Sequence, residues 1–304
     1  MEYILETKHL EKKYKHFKAI QDLNIHVPKR SIYGLIGKNG AGKTTLIRLI
    51  CGLQKPTNGS YKIYGIKNTE KEILDVRKRM GAIIETPSIR LESTAEDNLK
   101  EQYRMIGLPS FDNLQELLNL VELANTGKKK VKHFSLGMKQ RLGIAIALVG
   151  NPDFLILDEP INGLDPEGII EIRELILRLN KEKGITFLIS SHYLDELSKI
   201  STHYGFIKNG TMLQEICKEQ LEEKCKKRIE LEVSDVKECV KYFEEKQFSY
   251  EVISGKRLNL YNKINITDLV TVLSEKNCII NKFQEKEESL ESYYINLMGG
   301  GDSE

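Results

Sequence analysis

The stretch 34–49, GLIGKNGAGKTTLIRL, constrains the fold more than any other part of the chain. An apolar strand runs into a glycine-rich turn, and the turn runs into a lysine, two threonines and an apolar helix. The spacing GxxxxGK[ST] is met by Gly37, Gly42, Lys43 and Thr44, and each residue type has its own mechanical reason to be there. Gly37, Gly40 and Gly42 are expected to take positive φ and bring backbone N–H groups against an anionic oxygen. Thr44 and Thr45 open a helix whose positive dipole end faces the same anion. Lys43 adds a mobile full charge for the β- and γ-phosphates of a nucleotide, and the Thr44 hydroxyl is placed to ligate Mg²⁺. Asn39, inside the loop, is grouped with these nucleotide-binding residues.

The remainder of the first two thirds supplies strands and helices for that cradle. Tyr3 to Thr7 reads as a strand, and Leu23, Ile25 and Val27 alternate with polar residues as in a half-solvated antiparallel sheet. Apolar strands at 81–84, 154–157 and 185–190 then alternate with helical patterns at 94–125, 134–148 and 167–179. Strand and helix in alternation imply a parallel sheet covered on both faces, with ligands beyond the carboxyl ends of the strands. Gly37, Glu85, Asp158 and His192 all lie just past such ends. The strand ending in Asp158-Glu159 places one carboxylate to hold Mg²⁺ and a second to act as general base toward water. His192 is positioned to donate toward a γ-phosphate, although a lone histidine is as readily a satisfied structural residue. Tyr14, an aromatic flanked by lysines, suits stacking on a purine, worth ~1–3 kcal/mol per base. Read alone, it suits equally a strand-edge tyrosine packing on its neighbours.

Composition narrows the function classes. At 304 residues with 40% apolar content, the chain has room for one large or two ordinary cores. Its longest apolar runs are too short to cross a bilayer, and residues 1–10 lack the pattern of an export signal, so a soluble, unexported chain is expected. The five cysteines are scattered without CxxC spacing, as free thiols in a reducing cytoplasm would be. A net charge of +2 with 30% charged residues argues against a nucleic-acid partner. The run 128–132, KKKVK, reads as a solvated face.

The ordered set formed by 37–44, Ser135-Leu136-Gly137-Met138-Lys139, Asp158-Glu159, Asp165 and His192 resembles an ATP-binding cassette, the nucleotide-binding subunit of ABC transporters. The resemblance spans about residues 1–215 and implies a P-loop NTPase fold: a mixed α/β sheet with a helical subdomain at about 86–150. It further implies that Tyr14 stacks on adenine, and that Ser135 and Gly137 contact the γ-phosphate bound by a second cassette subunit in a homodimer. Asp165 would link the two sites across that dimer. Two departures stand out. Phe134-Ser135-Leu136-Gly137-Met138 replaces the family's LSGGQ but keeps the serine and second glycine, which are enough to offer a hydroxyl, an N–H and a helix N-terminus to phosphate. Glu85 stands where the family places glutamine. A carboxylate ~5 Å from phosphate charge at an effective dielectric of ~20 is repelled by about 3 kcal/mol. Glu85 therefore either joins Thr44 and Asp158 as a metal ligand or moves away before ATP arrives.

The segment from Ile84 to Pro87, together with 135–142, is similar to the cassettes of lantibiotic self-immunity and bacitracin-resistance exporters. That resemblance implies an ATPase on the cytoplasmic face of the membrane, docked through the helices of 94–125 on a separately encoded permease and exporting a peptide antibiotic or related amphiphile. Its cofactors would be ATP and Mg²⁺. A cassette protein acting on ribosomes or nucleic acid is the competing class, although such proteins usually carry two cassettes in one chain. A nucleotide-gated module of low turnover is a third.

Beyond the cassette, 216–227 reads as a linker and 228–304 as a small α+β accessory or dimerisation domain. Its order, strand, helix, strand, strand, helix, strand, suggests a ferredoxin-like fold. The closing segment Leu290-Glu291-Ser292-Tyr293 is similar to the end of extensions carried by drug-resistance cassettes.

Overall fold

The computed structural model describes residues 2–225, 228–262, 264–286 and 290–299. The chain divides into two compact units, with the boundary in sequence between Lys218 and Glu219.

In the first unit, β1 (Tyr3–Tyr14) pairs antiparallel with β2 (Phe17–Leu23) and β3 (His26–Pro28). The second sheet begins with β4 (Ile32–Ile36), which leads through the glycine-rich turn into α1 (Lys43–Ile50). Strands β5 (Asn58–Ile63) and β6 (Ile66–Lys67) complete the antiparallel sheet, in the order β2-β1-β5-β6 with β3 on β1. Short helix α2 (Ile73–Arg77) precedes β7 (Met80–Ile83).

Three helices follow, α3 (Ala95–Met105), α4 (Leu114–Leu120) and α5 (Leu136–Leu148), packed on one another. Thr94 caps α3 by accepting from the Asp97 amide, and Asp97 reciprocates. The chain then enters β8 (Phe154–Asp158), α6 (Pro166–Lys183), β9 (Thr186–Ser191), α7 (Leu194–Ser198), β10 (His203–Lys208) and β11 (Thr211–Cys217). Asn209 and Gly210, both at positive φ, close the β10–β11 hairpin, as an Asn-Gly turn demands.

The six-stranded sheet has the order β11-β10-β4-β9-β8-β7. It is parallel from β10 to β7, with β11 antiparallel at its edge. Strands β4, β8 and β9 are buried along their whole length, which is why they read as continuous apolar runs rather than alternations. Helix α1 lies between the two sheets. Its Leu46, Ile47, Leu49 and Ile50 pack with residues of the antiparallel sheet such as Leu5 and Ile63, and with Leu35, Phe154 and Ile156 of the parallel one. At roughly 1.5–3 kcal/mol for each fully buried side chain, this clamp fixes the phosphate-loop helix against both layers.

The stretch 216–227 is structured over much of its length, since β11 runs to Cys217 and α8 (Lys218–Lys224) follows directly; residues 226 and 227 lie outside the described residues. In the second unit, β12 (Arg228–Val233), α9 (Val236–Glu245), β13 (Tyr250–Ser254), β14 (Arg257–Leu260), α10 (Ile266–Glu275) and β15 (Ile280–Lys286) form an antiparallel sheet of order β13-β14-β12-β15. This is the strand order of a split βαβ arrangement. Its core gathers Leu231, Phe243, Leu258, Leu269 and Leu273. Helix α11 (Leu290–Gly299) is the last element; the end of the glycine-rich terminus lies outside the described residues. Among the described residues no helix is long and apolar enough to cross a membrane.

Candidate functional site

The glycine loop between β4 and α1 takes its shape from three glycines in two different ways. Gly40 and Gly42 have φ of 81 and 107, the left-handed backbone that glycine tolerates. Gly37 does not, contrary to expectation; it is needed because a Cβ there would lie 2.6 Å from the Ile207 carbonyl oxygen. Lys43 opens α1 only 5% exposed. Its Nζ curls back over the loop, donating to the Gly37 carbonyl at 2.6 Å and the Lys38 carbonyl at 3.4 Å, and it pairs with Glu159 Oε1 at 3.1 Å. Asn39 is exposed at the rim of the loop, and Thr45 lies partly buried in the first turn of α1.

Asp158, 1% exposed, ends β8. A buried carboxylate needs donors, and it has two hydroxyls: Thr44 Oγ1 donates to Oδ2 at 2.8 Å and Ser190 Oγ donates to Oδ1. The Glu159 amide in turn reaches the Ser190 carbonyl and hydroxyl oxygens, both at 3.1 Å. Glu159 itself has φ 51, an uncommon backbone for a residue with a Cβ. A 2.9 Å hydrogen bond links its Oε2 to His192 Nδ1, so the carboxylate is held between Lys43 and His192. Glu159, His192, Lys43, Thr44 and Asp158 thus form one linked cluster along the carboxyl edge of the sheet.

Glu85 stands apart from this cluster. It follows β7 with φ 61, and its carboxylate pairs at 2.7 Å with Arg48 in the last turn of α1. Tyr14, 39% exposed, ends β1; its hydroxyl donates to Gln54 and the Lys12 ammonium lies 5.1 Å from its ring centre. Ser135 caps α5, accepting from the Met138 amide at 3.1 Å. A Cβ built on Gly137 meets nothing nearer than 3.8 Å, its neighbours being Glu171, Gly168 and Ser135 rather than the glycine loop. Asp165 caps α6 by accepting from Gly168 N at 3.2 Å.

Sequence reasoning missed Ser190 and Arg48. Ser190, fully buried, stands beside Ser191 at the carboxyl end of β9, and a pair of serines closing a buried strand was its signal. Arg48 resembles any cation closing a helix. Next to it in α1's C-terminal turn, burial pushes the Cys51 thiol up to about 12 despite the nearby Arg77 charge.

The donor chemistry fits a hard cation. Among the described residues no group of three His, Cys, Asp or Glu side chains forms a metal cage. One hydroxyl and one carboxylate, Thr44 and Asp158, suit an ion that completes its shell with water and phosphate oxygens, as Mg²⁺ does.

A family model described as ABC transporter matches residues 20–162. Across 304 residues, covering 99% of both chains, the sequence is 41% identical to the bacitracin transport ATP-binding protein BcrA of Bacillus licheniformis. It is 42% identical over 212 residues to the lantibiotic transport ATP-binding protein SrtF of Streptococcus pyogenes, covering 70% of this chain and 90% of the relative. Among solved structures, cbiO1 from Clostridium perfringens, part of the ABC transporter complex cbiONQ, is similar with a TM-score of 0.66 and 26% identity, over 74% of this chain and 92% of that one.

Proposed function

The chain belongs to the ABC transporter family as an ATP-binding subunit, and on that premise we propose that it powers an exporter of peptide antibiotics. Cassettes of this family hydrolyse ATP to drive transport. The observation that carries the choice of cargo is the full-length similarity to a bacitracin transport subunit, which extends through the C-terminal unit as well.

The cluster at the sheet edge supports specific roles. The loop amides and the N-terminus of α1 receive the phosphates, and Lys43 leaves Glu159 to pair with them. Tyr14 stacks on the adenine ring, with Gly37, Asn39, Gly40, Gly42 and Thr45 shaping the cradle below. Thr44 and Asp158 would hold Mg²⁺, which neutralises phosphate charge when bound. Once Lys43 has turned to phosphate, Glu159 Oε1 is free to take the proton of an attacking water, while His192 keeps Oε2 in place.

Ser135 and Gly137 serve the ATP of a second subunit, and Asp165 relays between the two sites. Glycine inside a helix costs about 1 kcal/mol relative to alanine. A Cβ at 137 would meet nothing nearer than 3.8 Å, so packing within its own chain does not require the glycine there. The helices α3 and α4 dock on a separately encoded permease and place the chain at the cytoplasmic membrane face. The unit after residue 218 stabilises or regulates the dimer.

Affinity purification of the full chain from detergent-solubilised membranes tests this reading. An integral membrane protein without its own cassette is the expected companion. Recovery of ribosomal proteins or nucleic acid in its place would overturn the transport role.

A further inference from the structure

The sheet of the second unit has two faces of opposite character. Ile229, Leu231 and Val233 of β12, with Leu258 and Leu260 of β14, turn into the core. The alternate residues carry charge and amide groups on the other face. In the ladder Glu232 stands between Arg257 and Lys282, and Glu230 between Asn259 and Gln284, with Glu251 one strand beyond Asn259. Side chains on this face border a cleft of about 370 Å³, and the described residues that line it come from all four strands. Asn259 in its wall is only 9% exposed. The arginines at the cleft are already matched within the chain, Arg257 Nε to Glu232 at 3.2 Å and Arg228 Nε to Glu230 at 3.3 Å. A nucleic acid would meet the carboxylates of Glu230, Glu232 and Glu251 here, so a surface that is itself mixed in charge fits better.

We propose that this face is where the second units of two copies of the chain meet, face to face, about a two-fold axis that runs along the strands. The proposal rests on the reading that two copies of the chain associate. Such an axis keeps each level of the ladder and reverses the order of the strands, so β12 lies over β14 of the second copy and β13 over its β15. Arg257 then faces Glu232 of the second copy, Asn259 faces Glu230, and Gln284 faces Glu251, and each contact occurs twice. An axis across the strands would instead set Glu230 and Glu251 each against its own copy. Four strands ~4.8 Å apart and about six residues long offer roughly 400 Å² per copy. The two faces together fall short of the ~1,200 Å² usual for a stable interface, so this contact adds to an association made elsewhere in the chain rather than replacing it.

Sedimentation velocity of the full chain with Mg²⁺ and ATP, run on wild type, R257E, E232K and an equimolar mixture of the two variants, tests the geometry. Each variant alone sets like charges against each other at two equivalent contacts and should weaken the dimer about ten-fold, less at high salt. The mixture should recover wild-type strength to within about two-fold. The glutamate introduced in one chain then meets the lysine introduced in the other, and the intact Glu232 meets the intact Arg257. Mixing cannot repair the Arg257–Glu232 contact inside either chain, so a role confined to folding is not rescued. Arg257 is 68% exposed, and thermal melts check that both variants stay folded. A mixture no tighter than its separate components would overturn the proposal. An ATP-dependent dimer of wild-type strength in both variants would also overturn it, while leaving association through the cassettes intact. Wild type that stays monomeric with ATP would overturn the dimer reading itself, and this face with it.

Discussion

The two units of the chain bury polar groups very differently. The first encloses Lys43, Asp158, Ser190, Ser191 and Arg141, whereas in the second, among the described residues, Asn259 is the polar side chain counted as buried. Isolated buried charge is expensive, so Lys43 and Asp158 persist only because carbonyls, hydroxyls and Glu159 satisfy them. The second unit is held instead by an aromatic and aliphatic core in which Phe243 packs near Tyr242, Phe248 and Tyr250. One unit keeps costly polar groups where chemistry needs them, and the other is built for shape.

Substitutions should break that contrast in order of size. Lys43→Ala removes the charge in the cradle and should weaken ATP binding by at least ~10²-fold, read by calorimetry, since charge-assisted contacts to phosphate are among the strongest available. Phe243→Ala should destabilise the second unit by about 3–5 kcal/mol in hydrogen exchange while ATP affinity is maintained, the cost of a large cavity. A comparable loss of ATP binding would show that the units do not divide the work. Ser190→Ala leaves the buried Asp158 with one hydroxyl donor and should cost about 1–3 kcal/mol of stability together with a raised Mg²⁺ requirement; Ser190→Thr should recover both. If Mg²⁺ dependence is unaltered in Ser190→Ala, Asp158 does not depend on that hydroxyl.

The smallest effect concerns the two thiols that burial pushes up to about 12, Cys51 in the first unit and Cys239 in the second. The raised pKa keeps both protonated through pH 8, so both should alkylate more slowly than an unfolded-chain thiol, and to a similar degree. Stability from this source is present below pH ~9 and lost above it, as the unfolded thiols release protons first. Rapid labelling of native Cys51 at pH 8 would show that its surroundings open.

Much of this was legible in the sequence because it rests on pattern. Continuous apolar runs marked β4, β8 and β9, and the spacing of Gly37, Gly42, Lys43 and Thr44 marked the cradle. What stayed hidden depends on backbone conformation and on distant partners. No residue type announces that Glu85 and Glu159 adopt positive φ, and nothing local says that Gly37 is glycine for packing against Ile207 rather than for its own dihedral. Arg48 and Glu85 are far apart in sequence and meet only when α1 and β7 pack into the same unit.

We propose Glu159, held between Lys43 and His192, as the base of an ATPase completed by a second subunit. ATP turnover and sedimentation of Glu159→Gln, measured together on the full chain with Mg²⁺, test it most directly. Turnover should fall at least ~10²-fold, as expected for loss of a general base, while ATP binding persists and an ATP-dependent dimer accumulates. Turnover at the wild-type rate, or a variant that stays monomeric with ATP bound, would contradict it.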